Sequence, residues 1–163
     1  HGDFKWSNVL VVQDAAGAPA RVCLLDWELA QFGDPAWDVG AALHAIIAEA
    51  VLGHAFPDGI TPAEASASLG AIIPTLHATH RDVWHQYLAA AQLDGAEASA
   101  LLDRLPDHVA VRLIKSAYEW SQAEVQIPRR AAAILQLGIN MLRQPDQARQ
   151  LVLGLEGSAS APP

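Results

Sequence analysis

Three polar residues near the start of the chain are of the types that metal-assisted chemistry requires. Asp3 and Asn8 precede a run of apolar, β-branched residues, and Asp26 follows a second such run. If the two runs pair as an antiparallel hairpin, the entry to the first strand lies beside the exit from the second. Two carboxylates and a carboxamide would then converge, and such oxygen ligands suit Mg²⁺. The pattern therefore predicts a divalent-cation site at one end of a hairpin.

The elements that would position these residues can be predicted from turn and cap signals. Two apolar runs, Asn8–Gln13 and Arg21–Leu25, flank a turn containing Gly17 and Pro19, which predicts the hairpin. A helix is then expected from Pro35 to Leu52, with Asp34 as its N-cap.

The rest of the chain has a helical pattern. Thr61 and Glu64 have the spacing of a capping box. Pro74 and Pro106 are expected to separate helices, because a proline inside a helix cannot donate its backbone hydrogen bond. The predicted helices are Pro62–Ile73, Thr75–Gln92, Ala96–Leu105, Asp107–Glu124, Pro128–Gln144 and Pro145–Leu153.

Three short motifs within residues 1–40 resemble those of aminoglycoside phosphotransferases and choline kinases, which are relatives of the protein kinases. They are His1-Gly2-Asp3 with Asn8 five residues after the aspartate, Asp26-Trp27-Glu28, and Gly33-Asp34-Pro35-Ala36-Trp37-Asp38. Beyond this segment the chain resembles the family only in being helical. The resemblance implies an α+β, predominantly α fold: a kinase-like C-terminal lobe with a catalytic-loop β-hairpin followed by a helical subdomain.

The resemblance also implies a role for each matching residue. Asp3 would orient the acceptor hydroxyl and take its proton, while Asp26 and Asn8 would hold Mg²⁺ against the phosphates of ATP or GTP. His1 and Asp38 would support the loop, the aspartate by accepting backbone N–H bonds.

Lys5 bears on the acceptor. It lies two residues after Asp3, where Ser/Thr protein kinases place a lysine that reaches the transferring phosphate, and many antibiotic kinases lack it. The loop also resembles that of kinases that phosphorylate Ser/Thr of precursor peptides. These likenesses favour a peptide or another hydroxyl acceptor over an aminoglycoside.

Other residues keep two interpretations. Glu28 is either an exposed acid or a support for the metal ligands. Trp84, Tyr87, Tyr118 and Trp120 are expected to be core anchors. Because the family holds its substrate in the helical subdomain, Glu119, Trp120 and Glu124 are also candidates for the acceptor pocket. His77, His80 and His85 share a predicted helix, but no zinc motif accompanies them, so core or solvated positions are expected.

The predicted organisation has three parts: residues 1–34 with the loop, hairpin and metal turn, a helical substrate subdomain over 35–156, and a low-complexity, disordered tail over 157–163. The chain begins at His1, and no segment supplies a Gly-rich phosphate loop, a strand lysine or an adenine-binding hinge. We therefore expect a fragment that lacks the N-terminal nucleotide lobe, has an exposed apolar patch, and is inactive alone.

Composition excludes several partners. The net charge is −8 with only two lysines, which argues against a nucleic-acid partner. No apolar run is long enough for a membrane span. The single cysteine, Cys23, is expected to be a buried hydrophobe, and the cytoplasm is the expected compartment.

Two functions follow as expectations. The first is an ATP/Mg-dependent O-phosphotransferase acting on a small-molecule or peptide hydroxyl. The alternative is a non-catalytic, pseudokinase-like or split-kinase subunit that binds a protein partner, such as its own nucleotide lobe.

Overall fold

The computed structural model describes residues 1–122 and 124–156, so the tail predicted over 157–163 lies outside the described residues. Within these ranges the chain is mostly helical, with one small antiparallel sheet, as the predicted α+β class requires. The strands are β1 (Val9–Gln13) and β2 (Pro19–Leu24), and the helices are α1 (Ala36–Leu52), α2 (Pro62–Ser68), α3 (Ile73–Ala91), α4 (Gly95–Ser121), α5 (Arg129–Arg143) and α6 (Pro145–Leu151).

The predicted hairpin is confirmed. β1 and β2 pair in antiparallel register, with Val9 opposite Leu24. The carboxylate of Asp14 accepts two backbone N–H bonds within the turn, at 2.8 and 3.0 Å, as aspartates in tight turns do. β2 begins at Pro19, two residues before the predicted Arg21. This register brings the end of β2 beside the residues that enter β1.

Helix α4 lies at the centre of the helical subdomain and packs against α1, α5 and α6. Its predicted apolar face is buried at Val109, Leu113 and Ala117. The largest fully buried side chains come from several helices and from the segment after α6: Leu43, Ile47, Leu69, Leu101, Leu105, Leu113, Ile134, Met141, Leu153 and Leu155. Burial of such side chains is the main stabilising term for the subdomain.

The predicted helix boundary at Pro106 is wrong. α4 runs from Gly95 to Ser121 with Pro106 buried inside it. A proline at this point removes one helical hydrogen bond, at a cost of about 3 kcal/mol. The residues on either side, Leu105 and Val109, are fully buried. Packing on both sides of the proline therefore keeps the helix continuous where the local rule would end it.

Other boundaries follow the predicted signals more closely. Thr61 and Glu64 form the capping box, with Glu64 Oε2 2.7 Å from the Thr61 nitrogen and Thr61 Oγ1 3.2 Å from the Glu64 nitrogen. Pro74 lies in the first turn of α3 and so marks a helix start. α2 is shorter than predicted, because Leu69–Ala71 tighten into a 3₁₀ helix.

The N-cap predicted for α1 is displaced by one residue. The cap position belongs to Pro35, and Asp34 precedes it. The Asp34 carboxylate nevertheless accepts the backbone N–H of Ala36 at 2.9 Å, which is the bond an N-cap side chain supplies.

The aromatic core anchors are partly confirmed. Trp84 is buried, and Tyr87 and Trp120 pack against the core while partly exposed. Tyr118 is exposed, contrary to expectation. It lies seven residues after the exposed Val111, and a separation of two helical turns puts both on the solvent face of α4.

The remaining single-residue expectations have mixed outcomes. His80 is fully buried, and its Nδ1 donates to the Leu153 carbonyl at 3.2 Å, whereas His85 is exposed. Cys23 is only half-buried, because the face of the hairpin that carries it is not fully covered.

No helix of residues 1–122 and 124–156 has the length and apolarity to cross a membrane.

Close packing of α5 on α4 gives a stability prediction. A Cβ on Gly138 would lie 2.9 Å from both the Ala110 carbonyl oxygen and Ile114 Cγ1. Since the carbonyl belongs to helix backbone, Gly138→Ala should lower the free energy of unfolding by about 1–3 kcal/mol, measured by urea denaturation. Gly95→Ala is the matched control, because a Cβ there meets nothing within 4 Å. Equal effects of the two substitutions would contradict this account.

Candidate functional site

The segment that carries Asp3 has a conformation that requires glycine. Gly2 has a φ of 86°, in the left-handed region. A Cβ at this position would lie 2.5 Å from the carbonyl oxygen of Leu29, too close for any side chain. The loop before β1 and the turn after β2 are therefore in backbone contact.

Asp38, in the first turn of α1, holds this segment in place. Its Oδ1 accepts the backbone N–H of Gly2 at 2.9 Å, and its Oδ2 accepts the amino group of His1 at 2.6 Å. The Trp37 indole nitrogen donates to the Gly2 carbonyl at 2.7 Å. Two adjacent side chains of α1 thus fix both polar groups of the Gly2 backbone.

Asp3 has two polar neighbours on its own loop. Lys5 Nζ donates to Asp3 Oδ2 at 2.5 Å, and Asn8 Nδ2 donates to the Asp3 carbonyl at 3.0 Å. The bond from Lys5 is the main reason that the pKa of Asp3 is lowered and that of Lys5 raised. Asp3 is therefore ionised at neutral pH and able to accept a hydrogen bond or a proton.

Asp26 follows β2 in a strained conformation. Its φ is 64°, an uncommon value for a residue other than glycine and one that clusters at functional sites. The preceding residue, Leu25, donates its N–H to the Asn8 carbonyl at 2.8 Å and accepts a bond from His1 Nε2 at 2.9 Å. The charge of Asp26 also contributes to the raised pKa of Lys5. Asp3, Asn8 and Asp26 thus lie at the same end of the hairpin.

The donor set suits Mg²⁺. Asn8 and Asp26 offer hard oxygens, and Mg²⁺ commonly takes one or two protein carboxylates while phosphates and water complete its shell. No group of three or more His, Cys, Asp or Glu that could hold a metal occurs in the part of the chain described.

Asp34 ties the end of the third motif to α4. Arg104 donates to both Asp34 oxygens, from Nε at 2.7 Å and from Nη2 at 3.1 Å. This paired contact is the main reason that the pKa of Asp34 is lowered. Bidentate arginine–carboxylate contacts fix orientation as well as distance. The sequence pattern assigned Asp34 only to a helix cap.

A cleft of about 430 Å³ opens in front of Asp3. We call it the α1–α4 cleft, because residues 3–7 of the loop form one wall and faces of α1 and α4 form the others. α4 contributes side chains spaced three or four residues apart, which is how one helical face is presented. The polar and aromatic side chains from the two helices are His44, Glu49, Arg112, Lys115, Ser116, Glu119 and Trp120.

The predicted site residues separate into two groups. Asp3, Lys5, Glu119 and Trp120 line the cleft, whereas Asn8 and Asp26 lie at the hairpin end and do not line it. Glu28 and Glu124 are exposed and do not line it. A larger cavity, of about 680 Å³, lies among α2, α3, α5 and α6, and none of the predicted site residues lines it.

Five of the polar side chains that α1 and α4 place in the cleft were not predicted from the sequence: His44, Glu49, Arg112, Lys115 and Ser116. The only available signal was the run Arg112, Lys115, Ser116 and Glu119 on one face of α4. Without the packing of α4 on the loop, that spacing is typical of any solvated helical face.

His44 and Ser116 form a polar pair inside the cleft. His44 Nε2 and Ser116 Oγ lie 2.8 Å apart and share a hydrogen bond. Burial, with smaller contributions from the charges of Arg112 and Lys115, lowers the pKa of His44 from 6.5 to about 4. The imidazole is therefore neutral at physiological pH.

This shift predicts a pH-dependent stability. Between pH 6.5 and about 4 the unfolded chain binds a proton at His44 that the folded chain does not. The free energy of unfolding should fall as the pH drops through that window, by roughly 3 kcal/mol from this residue. His44→Gln should make the decline shallower in urea denaturation at a series of pH values. The exposed His85 provides the control, and an equal loss of slope in His85→Gln would contradict the assignment.

Comparison with known protein families finds a match for the first part of the chain. The sequence model of the phosphotransferase enzyme family matches residues 1–69, which include the loop, the hairpin, the Asp26 turn and α1. No curated protein and no solved structure matches the chain. The predicted resemblance to aminoglycoside phosphotransferases and choline kinases is thereby confirmed, since residues 1–69 are similar to the phosphotransferase enzyme family.

Proposed function

We propose that this chain is the acceptor-binding and catalytic part of an ATP/Mg-dependent O-phosphotransferase. The observation that carries the proposal is the ionised Asp3 at the wall of the α1–α4 cleft, with Asn8 and Asp26 at the same end of the hairpin. The family match of residues 1–69 supports a phosphotransferase. The proposed acceptor is a small-molecule or peptide hydroxyl, the phosphate donor is ATP or GTP, and the setting is the cytoplasm.

Phosphoryl transfer depends mainly on positioning and on neutralising charge. In this scheme an acceptor hydroxyl in the cleft donates a hydrogen bond to Asp3, which receives the proton as the hydroxyl attacks the terminal phosphoryl group of the nucleotide. The bond from that phosphorus to the bridging oxygen breaks, and the nucleoside diphosphate leaves. Lys5 turns from Asp3 toward the transferred phosphate. Asn8 and Asp26 would hold Mg²⁺, which supplies charge neutralisation on the nucleotide phosphates.

The support around Asp3 explains why its geometry could persist through turnover. Asp38 and Trp37 fix the Gly2 backbone one residue earlier, and Asn8 fixes the Asp3 carbonyl. Lys5 and Asn8 both contact Oδ2 of the Asp3 carboxylate, at 2.5 and 3.4 Å, and Oδ1 has no hydrogen-bond partner among the described residues. The loop is therefore held rigid while one carboxylate oxygen stays available.

The test uses the reading frame that contains this segment. Mg²⁺-dependent ATP consumption is measured against a panel of hydroxyl acceptors, including small alcohols, amino alcohols, hydroxy acids and Ser/Thr peptides. Asp3→Asn should lower kcat by about 10²- to 10⁴-fold, because the general base is lost. Asp26→Asn should remove most of the Mg²⁺-dependent rate.

Asp82→Asn is the matched control, because Asp82 is exposed on α3 and does not line the cleft. Turnover that survives Asp3→Asn, or that falls equally in the Asp82 variant, would be incompatible with the proposed role of Asp3.

A second candidate function rests on a different observation. Large apolar side chains are exposed along the hairpin and the following turn: Leu10, Val11, Val22, Leu25, Trp27, Leu29 and Phe32. Contiguous exposed apolar surface commonly marks a protein contact. A non-catalytic or split-kinase subunit would use this face to bind a partner polypeptide.

The same preparation distinguishes the two candidates. A phosphotransferase should be stabilised by Mg-ATP in a thermal-shift assay and should turn over an acceptor. Absence of both effects, with a folded protein confirmed by circular dichroism, would favour the protein-binding alternative.

A further inference from the structure

Arg112 is a buried cation without a short contact to any carboxylate of the described residues. Its side chain lines the α1–α4 cleft, the residue is 5% exposed, and its Nε has no hydrogen-bond partner there. Its described contacts are the Gly2 carbonyl, 3.4 Å from Nη2, and the ring of Trp37, 4.4 Å from Cζ. Burial of a charged group without a counter-charge is unfavourable, so an anion bound at this position would be stabilised by Arg112.

The other cations of the cleft already have partners. Lys5 contacts Asp3, and Lys115 Nζ lies 3.4 Å from Glu119 Oε1 near the exposed rim. Arg112 is therefore the cation available to a ligand within the cleft. Burial lowers the pKa of Arg112, with the charges of Asp3, Asp38 and Glu119 acting in the opposite direction.

The buried side chains that α1 and α4 place beside Arg112 are uncharged, whereas Lys115 and Glu119 of α4 are exposed. His44 and the buried Ser116 share their hydrogen bond, and Ala45 and Ala48 of α1 are buried beside them. Glu49 lines the cleft but is exposed. The most buried part of the cleft wall thus combines one positive charge with uncharged polar and apolar groups, an arrangement that attracts an anion.

Arg112 is also close to the reacting position. Its guanidinium contacts the carbonyl of Gly2, the residue immediately before Asp3. A group bound to Arg112 would therefore lie within a few bonds of a hydroxyl placed at Asp3. A guanidinium binds a carboxylate through two parallel hydrogen bonds and so orients the rest of the molecule.

We infer that the phosphate acceptor is a hydroxy acid whose carboxylate binds Arg112, while the His44–Ser116 pair hydrogen-bonds beside it. This inference rests on the proposed function, and it names the substrate class of the same cleft. The carboxylate orients the molecule so that its hydroxyl meets Asp3.

The test compares acceptors that share a chain length and differ in one group. Hydroxy acids such as 3-hydroxypropanoate and 4-hydroxybutanoate are assayed beside the corresponding diols and amino alcohols, in the reading frame that contains this segment. We expect kcat/KM for the hydroxy acids to exceed that for the diols by about 10- to 100-fold, the range of a charged hydrogen bond. Arg112→Met should remove this preference, and Arg130→Met, at an exposed arginine of α5, should not.

A binding measurement makes the test independent of turnover. Titration with the same hydroxy acids should raise the Tm of the unmodified protein and of Arg112→Lys, and should leave Arg112→Met unchanged. Because Arg112→Met removes an uncompensated charge at nearly constant volume, we expect that variant to fold.

The outcomes separate the two proposals. Equal kcat/KM for hydroxy acids and diols, an equal loss for both in Arg112→Met, or no Tm shift in the unmodified protein would overturn the assignment of Arg112. Those results with turnover that still depends on Asp3 would leave the phosphotransferase proposal standing. Turnover that is indifferent to Asp3→Asn would instead contradict the proposed function itself.

Discussion

The carboxylate of Asp38 determines where Asp3 lies. It binds the Gly2 nitrogen, and in doing so it attaches a loop with little regular structure to the buried helix α1. The hairpin cannot do this alone, because a two-stranded ribbon is marginally stable and several of its apolar side chains are exposed. The helical core therefore sets the position of the loop, through the Asp38 side chain in the first turn of α1.

The helical core serves the site through α4. This helix packs against α1 along the same face that turns Arg112 and Ser116 toward the loop, and Arg104 anchors it to Asp34 near the end of the third motif. Continuity through Pro106 matters here, because a helix that ended at Leu105 would give the two halves independent orientations. The bidentate contact of Arg104 lies before the proline and the cleft residues lie after it, so one rigid helix relates both to the loop.

Much of the loop could be predicted from sequence, because Asp3, Asn8, Asp26 and Asp38 lie close together in the chain, beside local turn and strand signals. The hairpin and the capping box at Thr61 were equally local signals. Arg112 and His44 could not be found this way, since they come together only when two helices distant in sequence pack beside the loop. Pro106 and Tyr118 were mispredicted for different reasons. Packing overrode the local preference of Pro106 to end a helix, and the sequence did not indicate that Tyr118 lies on the exposed face of α4.

The contact between Gly2 and Leu29 has a consequence for how such a cleft can change. There is no room for a single carbon between the two backbones, so the loop and the turn after β2 pack as one block. A substitution at Gly2 would force the two segments apart. Gly2 precedes Asp3 and Leu29 follows Asp26, so this contact limits how far the two carboxylates can move apart. Diversification toward new ligands is confined to the exposed rim and to the helix faces of α1 and α4, which can vary without disturbing that block.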